Sequence, residues 1–185
     1  MQQNKTDLSV YNNNWYNTGG SALKRLLWLY VSAIFFQSNF FPFVGFKIWL
    51  LRVFGAKIGT GVMIKPSVNI KYPWNVTIMD DAWIGEEVWI DSLVPVSIGV
   101  SVCLSQGAYI LTGNHNYKKS TFDLIVKEVI LEDGVWIGAK SVVCPGVICK
   151  SHSVLSVNSV ATKNLEAYSI YQGNPAIKIK DRLVE

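Results

Sequence analysis

The stretch Ile58–Ile70, IGTGVMIKPSVNI, places isoleucine at 58, 64 and 70, and its reading turns on which fold wants an apolar residue at every sixth position. A helix face repeats every ~3.6 residues and a half-buried strand every ~2, so neither accounts for it. The spacing resumes at Ile78, Ile84 and Ile90, again at Ile98, Leu104 and Ile110, and then runs through Leu131, Ile137, Val143, Cys149, Leu155 and Ala161. All fifteen anchors are apolar in a chain that is 50% hydrophobic, so a fixed internal repeat, not helix or strand periodicity, organises this part of the sequence.

Two further columns keep the same register. Glycine follows the anchor at Gly59, Gly85, Gly99 and Gly138, where a tight corner is expected to call for φ > 0. The fourth residue after the anchor is usually small or β-branched, as at Val62, Ala82, Val88, Ala108, Ser141 and Ser153. A short strand, a corner and another short strand explain both columns. Three such units close a triangular coil, and stacked coils bury an apolar prism that no single coil could bury alone. The last position of each repeat should face outward, and it reads Trp83, Trp89, Tyr109 and Trp136 at several levels. Such rows are either covered by the amino-terminal segment or form an interface between copies, and self-association explains them jointly. Two extra residues after the third and sixth repeats are corner bulges. The fifteen extra residues before Leu131 must leave the prism as a loop at about 114–130, with His115 at its root.

The 185 residues suit one main domain, divided as an amino-terminal polar tail and apolar helical segment (1–55), a repeat domain (56–166) and a carboxy-terminal tail (167–185). Only 16% of residues are charged, and the net charge of +4 comes without a dense Lys/Arg block, which argues against nucleic acid as a partner. Cys103, Cys144 and Cys149 are an odd number without metal-type spacing, so a reducing, cytoplasmic location is expected, and Cys149 should be a buried, inert small hydrophobe. The polar, Asn-rich start lacks the apolar core of a secretory signal. After Lys24-Arg25 comes LLWLYVSAIFFQSNFFPFVGF, uncharged from Leu26 to Phe46. Gln37, Ser38, Asn39 and Pro42 interrupt it, so two short helices with a break are expected. Packing on the prism, lying in a membrane interface and spanning a bilayer stay open for this segment, with peripheral membrane contact through residues 22–51 and the inner face of the cytoplasmic membrane as one expectation.

With the repeat established, the segments WIGEEVWIDSLVPVSIG, SQGAYILTGNHNY, VWIGAKSVVCPGV, SVATKN and YQGNPAIKIK resemble the left-handed β-helix hexapeptide-repeat acyltransferases. Within that superfamily the chain is similar to the sugar O-acetyltransferases of the galactoside and maltose group and, more narrowly, to the colanic-acid-type exopolysaccharide acetyltransferases. The resemblance covers nearly the whole chain from about Leu27. It implies a mainly β fold, a left-handed parallel β-helix with an amino-terminal helical segment, assembled as a homotrimer that binds acetyl-CoA in the groove between neighbouring prisms. Left-handed coiling departs from the usual crossover rule and cannot be read from the spacing.

Acetyl transfer from a thioester to a sugar hydroxyl needs a base near neutral pH, which histidine supplies. Taken alone, a His in a Gly-Asn-His-Asn turn is as readily a hydrogen-bonded loop residue; at the family's histidine position, His115 is expected to be the general base. Asp91 falls where the family carries a polar residue, often Asn, that orients the acceptor; its alternative is a corner carboxylate. The resemblance assigns CoA contacts to Trp136 beside the pantetheine arm, the Ala139 N–H at the thioester oxygen, and Thr162, Lys163 and Lys180 toward the nucleotide. Ile177 replaces a neighbouring basic position, whose phosphate contact either passes to Lys178 or is missing. His152 is read as an exposed corner residue, and two histidines fall short of the three that a β-helix carbonic anhydrase needs for zinc, so no metal is expected. The other readings are an acetyltransferase for a small free acceptor such as a galactoside, a maltose-like sugar or an antibiotic, and a non-catalytic scaffold. The role of Asp123 stays open.

Overall fold

The computed structural model describes residues 5–185. All fifteen anchors are buried, none more than 9% exposed, and the small residues of the second column lie beside them. Burying an aliphatic side chain of this size stabilises a fold by ~1.5–3 kcal/mol, so the repeat is the main source of cohesion. The strands form three parallel faces. The first face stacks Lys57–Ile58, Val76–Ile78, Val96–Ile98, Val129–Leu131 and Ile148–Cys149, and the third stacks Asn69–Ile70, Trp89–Asp91, Tyr109–Leu111, Val142–Val143 and Val160–Ala161. The second stacks Met63–Ile64, Trp83–Ile84, Cys103–Leu104, Trp136–Ile137 and Val154–Leu155, then Ser169–Gly173, whose antiparallel partner Ala176–Asp181 closes the end. Register is kept through every coil, with Ile64, Ile84, Leu104, Ile137 and Leu155 paired in succession. This is a β-solenoid of about six turns matching the left-handed hexapeptide-repeat β-helix.

The corner glycines act differently from expectation. Gly59, Gly85, Gly99 and Gly138 are not in the left-handed region. They are required by close approach: a Cβ on Gly85 would lie 2.8 Å from Leu104 O, and one on Gly138 2.6 Å from Val157 N, both backbone atoms of the next coil. The positive φ falls on the third residue after the anchor, at Gly61, Ser67, Asp81, Glu87, Ser101, Gly107, Gly134, Lys140, Gly146, His152 and Asn158, with φ between 54° and 84°. His152 is half-buried at such a corner, its ring flat on Tyr168 at 4.8 Å, rather than an exposed residue. Burial pushes the Cys149 thiol up to about 12, as suits an inert anchor.

The apolar segment forms helix α1 (Ala22–Val31), extended by a π-turn at Ser32–Phe36, then a break, then α2 (Val44–Val53). Ser21 caps α1 by accepting from Lys24 N–H at 3.2 Å. Ladder bonds between coils run from the N–H of one coil to the C=O of the next, as from Gly59 to Ile78, Met63 to Ala82 and Asn69 to Val88. The strand carbonyls of the first coil, such as Ile58 O and Ile70 O, therefore lack a preceding coil to donate to them, whereas the corner carbonyl Thr60 O accepts from Asp81 N–H. The helical segment supplies one donor per face: Arg52 Nη2 to Ile58 O at 2.7 Å, Lys47 Nζ to Lys65 O at 3.2 Å, and Trp28 Nε1 to Ile70 O at 2.8 Å. Capping of these edge carbonyls explains why a lysine is buried among Phe36 and Leu51, and burial lowers its pKa. No helix among the described residues is long and apolar enough to cross a membrane.

Candidate active site

The chain leaves the prism between its third and first faces as an antiparallel hairpin, Gly113–His115 against Leu124–Val126. Thr112 anchors its root: fully buried, it donates its hydroxyl to Asp91 O at 2.6 Å and accepts from Leu93 N–H at 2.9 Å. Gly113 lets the hairpin pass close to Asp91, since a Cβ there would come within 3.6 Å of Asp91 Oδ2 and 2.5 Å of Leu93 Cδ1. His115 and Asp91 thus belong to one edge of the prism, with the hairpin rising over the carboxylate.

The imidazole of His115 is held in a defined state. Its Nδ1 lies 2.9 Å from Phe122 O. A carbonyl only accepts, so Nδ1 carries the proton and Nε2 presents its lone pair. Phe122 also stacks on the imidazole, with ring centroids 4.4 Å apart and planes within 7°. To do both, Phe122 adopts φ 51°, a conformation that costs an aromatic residue on the order of 1 kcal/mol. Asp123 does not reach the imidazole. Its carboxylate accepts from Lys119 Nζ at 2.8 Å and Thr121 Oγ1 at 2.5 Å, which hold it below the ordinary carboxylate range, and its backbone oxygen accepts from Asn116 N–H. These contacts shape the loop that carries Phe122.

Asp91 is 9% exposed, with Lys71 Nζ 3.0 Å from Oδ1. The carboxylate is thus held as a partly buried ion pair at the foot of the hairpin. The amino-terminal tail closes the same edge. Asp7 N–H donates to Ser120 O at 2.9 Å, Tyr11 packs against His115 with centroids 5.7 Å apart, and Tyr16 donates to Leu93 O at 2.5 Å. Burial, with Tyr72 and Asp91 nearby, pushes the Tyr16 phenol up to about 12.

Trp136, Ala139 and Lys180 come together elsewhere, in a groove of about 710 Å³ at the corner between the second and third faces, flanked by the carboxy-terminal hairpin. Trp136 is fixed by its Nε1–H bond to Ser105 Oγ at 2.9 Å. Among the described residues, the Ala139 N–H donates to no acceptor, although its carbonyl accepts from Asn158 N–H at 2.8 Å. Thr162 and Lys163 are exposed outside this groove, on the edge that also carries His115 but farther along the prism. Lys178 is ion-paired with Asp181 at 2.7 Å, and Ile177 is exposed. The residues singled out from the sequence are thus split between two edges of one chain. Phe122, Thr112, Lys71 and Tyr11 escaped sequence reading: a carbonyl, a positive φ and a tail folded back over the loop leave no motif. Among the described residues no three His, Cys, Asp or Glu are grouped to hold a metal ion.

No family model matches the chain. It is 36% identical over 165 residues, 89% of this chain and 91% of the relative, to the colanic acid biosynthesis acetyltransferase WcaF of Escherichia coli (strain K12). Among solved structures it is similar to a hexapeptide-repeat acetyltransferase of Vibrio cholerae O1 biovar eltor complexed with acetyl coenzyme A (TM-score 0.79, 22% identity, 90% of this chain and 92% of that one). It is also similar to a maltose O-acetyltransferase of Clostridium difficile 630 (TM-score 0.74, 19% identity, 89% and 90% covered). The repeat architecture and the similarity over most of the chain agree: the chain belongs to the colanic-acid-type family of hexapeptide-repeat acetyltransferases and is an acyltransferase.

Proposed function

We propose that the protein transfers an acetyl group from acetyl-CoA to a sugar hydroxyl of an exopolysaccharide or its precursor. The observation that carries this reading is the Nδ1 bond of His115 to Phe122 O, which leaves Nε2 as a base on a hairpin above the Asp91 carboxylate, itself ion-paired with Lys71. His115 Nε2 accepts the proton of the acceptor hydroxyl as its oxygen attacks the thioester carbon. The Phe122 carbonyl stabilises the resulting imidazolium, and Asp91 accepts a hydrogen bond from the sugar. The Ala139 N–H meets the oxygen that becomes negative in the tetrahedral intermediate. Collapse expels the CoA thiolate, which takes the proton back from His115. Trp136 flanks the pantetheine arm, and Thr162, Lys163 and Lys180 serve the nucleotide end.

His115 and the groove lie on different edges, so one chain cannot complete this site. A homotrimer supplies the edge of one copy to the groove of the next, and exposed Trp83, Trp89 and Trp136 are suited to such lateral contact. Peripheral membrane contact through residues 22–51 belongs to the same reading. Acetyl-CoA consumption measured over lipid-linked glycans, free galactosides, maltose-like sugars and chloramphenicol-like drugs tests the acceptor class; turnover confined to a small free acceptor would overturn it. His115→Ala is expected to lower turnover by about 10²–10⁴-fold, with CoA binding retained in a thermal-shift assay. Unchanged turnover would remove His115 from the mechanism.

A further inference from the structure

The two helices that cap the first coil turn a second apolar face outward. On α1 the exposed side chains Leu23, Leu26, Tyr30 and its continuation Ile34 recur at helical spacing, and on α2 Phe46, Trp49 and Val53 do the same. Phe40 and Phe43, in the break between them, are 95% and 65% exposed. The inward faces are already occupied by Trp28, Phe36, Leu50 and Leu51. A helix that is apolar on both faces needs a second apolar neighbour, and a patch of this extent is too large for scattered exposure.

Charge identifies the neighbour. Between Asp7 and Asp80 the chain contains seven Lys and Arg residues and not one Asp or Glu. Lys47 and Arg52 are committed to capping carbonyls, but Arg25, Lys57 and Lys65 are exposed around the cap. An apolar, aromatic surface rimmed by positive charge, with no carboxylate on the helices themselves, is complementary to a bilayer with acidic headgroups, whereas a second identical face would meet it with like charge. The cap also crosses the end of the prism, while Trp83 and Trp136, exposed tryptophans that suit self-association, lie on its second face.

We propose that the α1–α2 cap is a bilayer-docking surface that seats in the interface of a membrane containing acidic phospholipids, without spanning it. This rests on the acetyltransferase reading only for its purpose, which is to hold the site beside an acceptor at the membrane; the docking itself does not depend on that reading. The test is co-sedimentation of the full chain with phosphatidylcholine vesicles and with vesicles containing phosphatidylglycerol, at low and high salt, alongside acetyl-CoA turnover on the same preparation. Preference for phosphatidylglycerol vesicles, weakened by salt and reduced about tenfold or more in Phe43→Ser/Trp49→Ser, is the expected result, with circular dichroism and sedimentation velocity unchanged. No phosphatidylglycerol preference, or unaltered binding by the variant, overturns docking even if turnover is normal. If the variant instead converts a larger assembly into a smaller one, the face joins copies of the chain and the proposal falls. Vesicle binding without turnover would leave docking intact and overturn the enzymatic reading alone.

Discussion

At His115 the proposed base chemistry depends less on the histidine than on what fixes its proton. The Phe122 carbonyl accepts a hydrogen bond from Nδ1–H, and the Phe122 ring keeps the imidazole in one plane. Removing the ring leaves the carbonyl but loosens both the imidazole and the strained turn that presents it. Phe122→Ala should therefore lower kcat about tenfold through misplaced Nε2, with the KM for acetyl-CoA unaltered, while Phe122→Tyr should remain near the parent rate. Steady-state kinetics of the two variants decides it; equal rates for all three would mean that the imidazole is oriented by something else. Position 115 is open to sequence reading because a histidine at the root of a long insertion is visible. Phe122 is not, since its contribution is a backbone oxygen and a φ angle that only the folded loop reveals. Asp123, the residue whose chemistry draws attention, is spent on Lys119 and Thr121.

Among elements, each coil of the prism is too small to bury its own apolar face, so coils must stack closely, and glycine admits the close approach at the corners after Ile58, Ile84, Ile98 and Ile137. Gly85 marks this closeness. A methyl group there would press on Leu104 O and, at 3.0 Å, on Gln106 N, backbone atoms with no side chain to move aside. Gly85→Ala is expected to destabilise the fold by about 2 kcal/mol, lowering the thermal midpoint by roughly 4–8 °C in calorimetry. Gly45→Ala, on a helix with nothing within 4 Å, is the control that should leave the midpoint unchanged or slightly raised. A result in which both behave alike would refute close approach as the reason for the glycine column. The two ends of the stack meet different needs: unpaired carbonyls at the start receive cationic and indole donors from the helices, and the last coil is closed by an antiparallel return strand.

For the whole molecule, the division of site residues between two edges makes a prediction that no single-chain site would share. His115→Ala damages one edge and Ala139→Leu fills the groove on the other. Each homo-oligomer should be inactive. Co-refolded at equal ratio, the two variants should recover about a quarter of parental turnover, because the proposed site needs an intact histidine edge from one copy and an intact groove from its neighbour. Turnover that stays at zero in verified mixed oligomers would place the complete site within one chain. The fold was legible in the sequence to a large degree: a six-residue period over fifteen anchors leaves only a stacked triangular coil, and the length of the break before Leu131 puts a histidine loop at one level of it. These are local facts, set by which residues tolerate burial and which corners tolerate a side chain. What the linear order could not convey is everything that depends on distance across the prism. The carbonyl that fixes the His115 tautomer, the tail packed on the loop, the donors that cap the first coil and the assignment of Asp91 and Ala139 to separate edges all arise when residues far apart in sequence are brought together, and only the tertiary structure decides them.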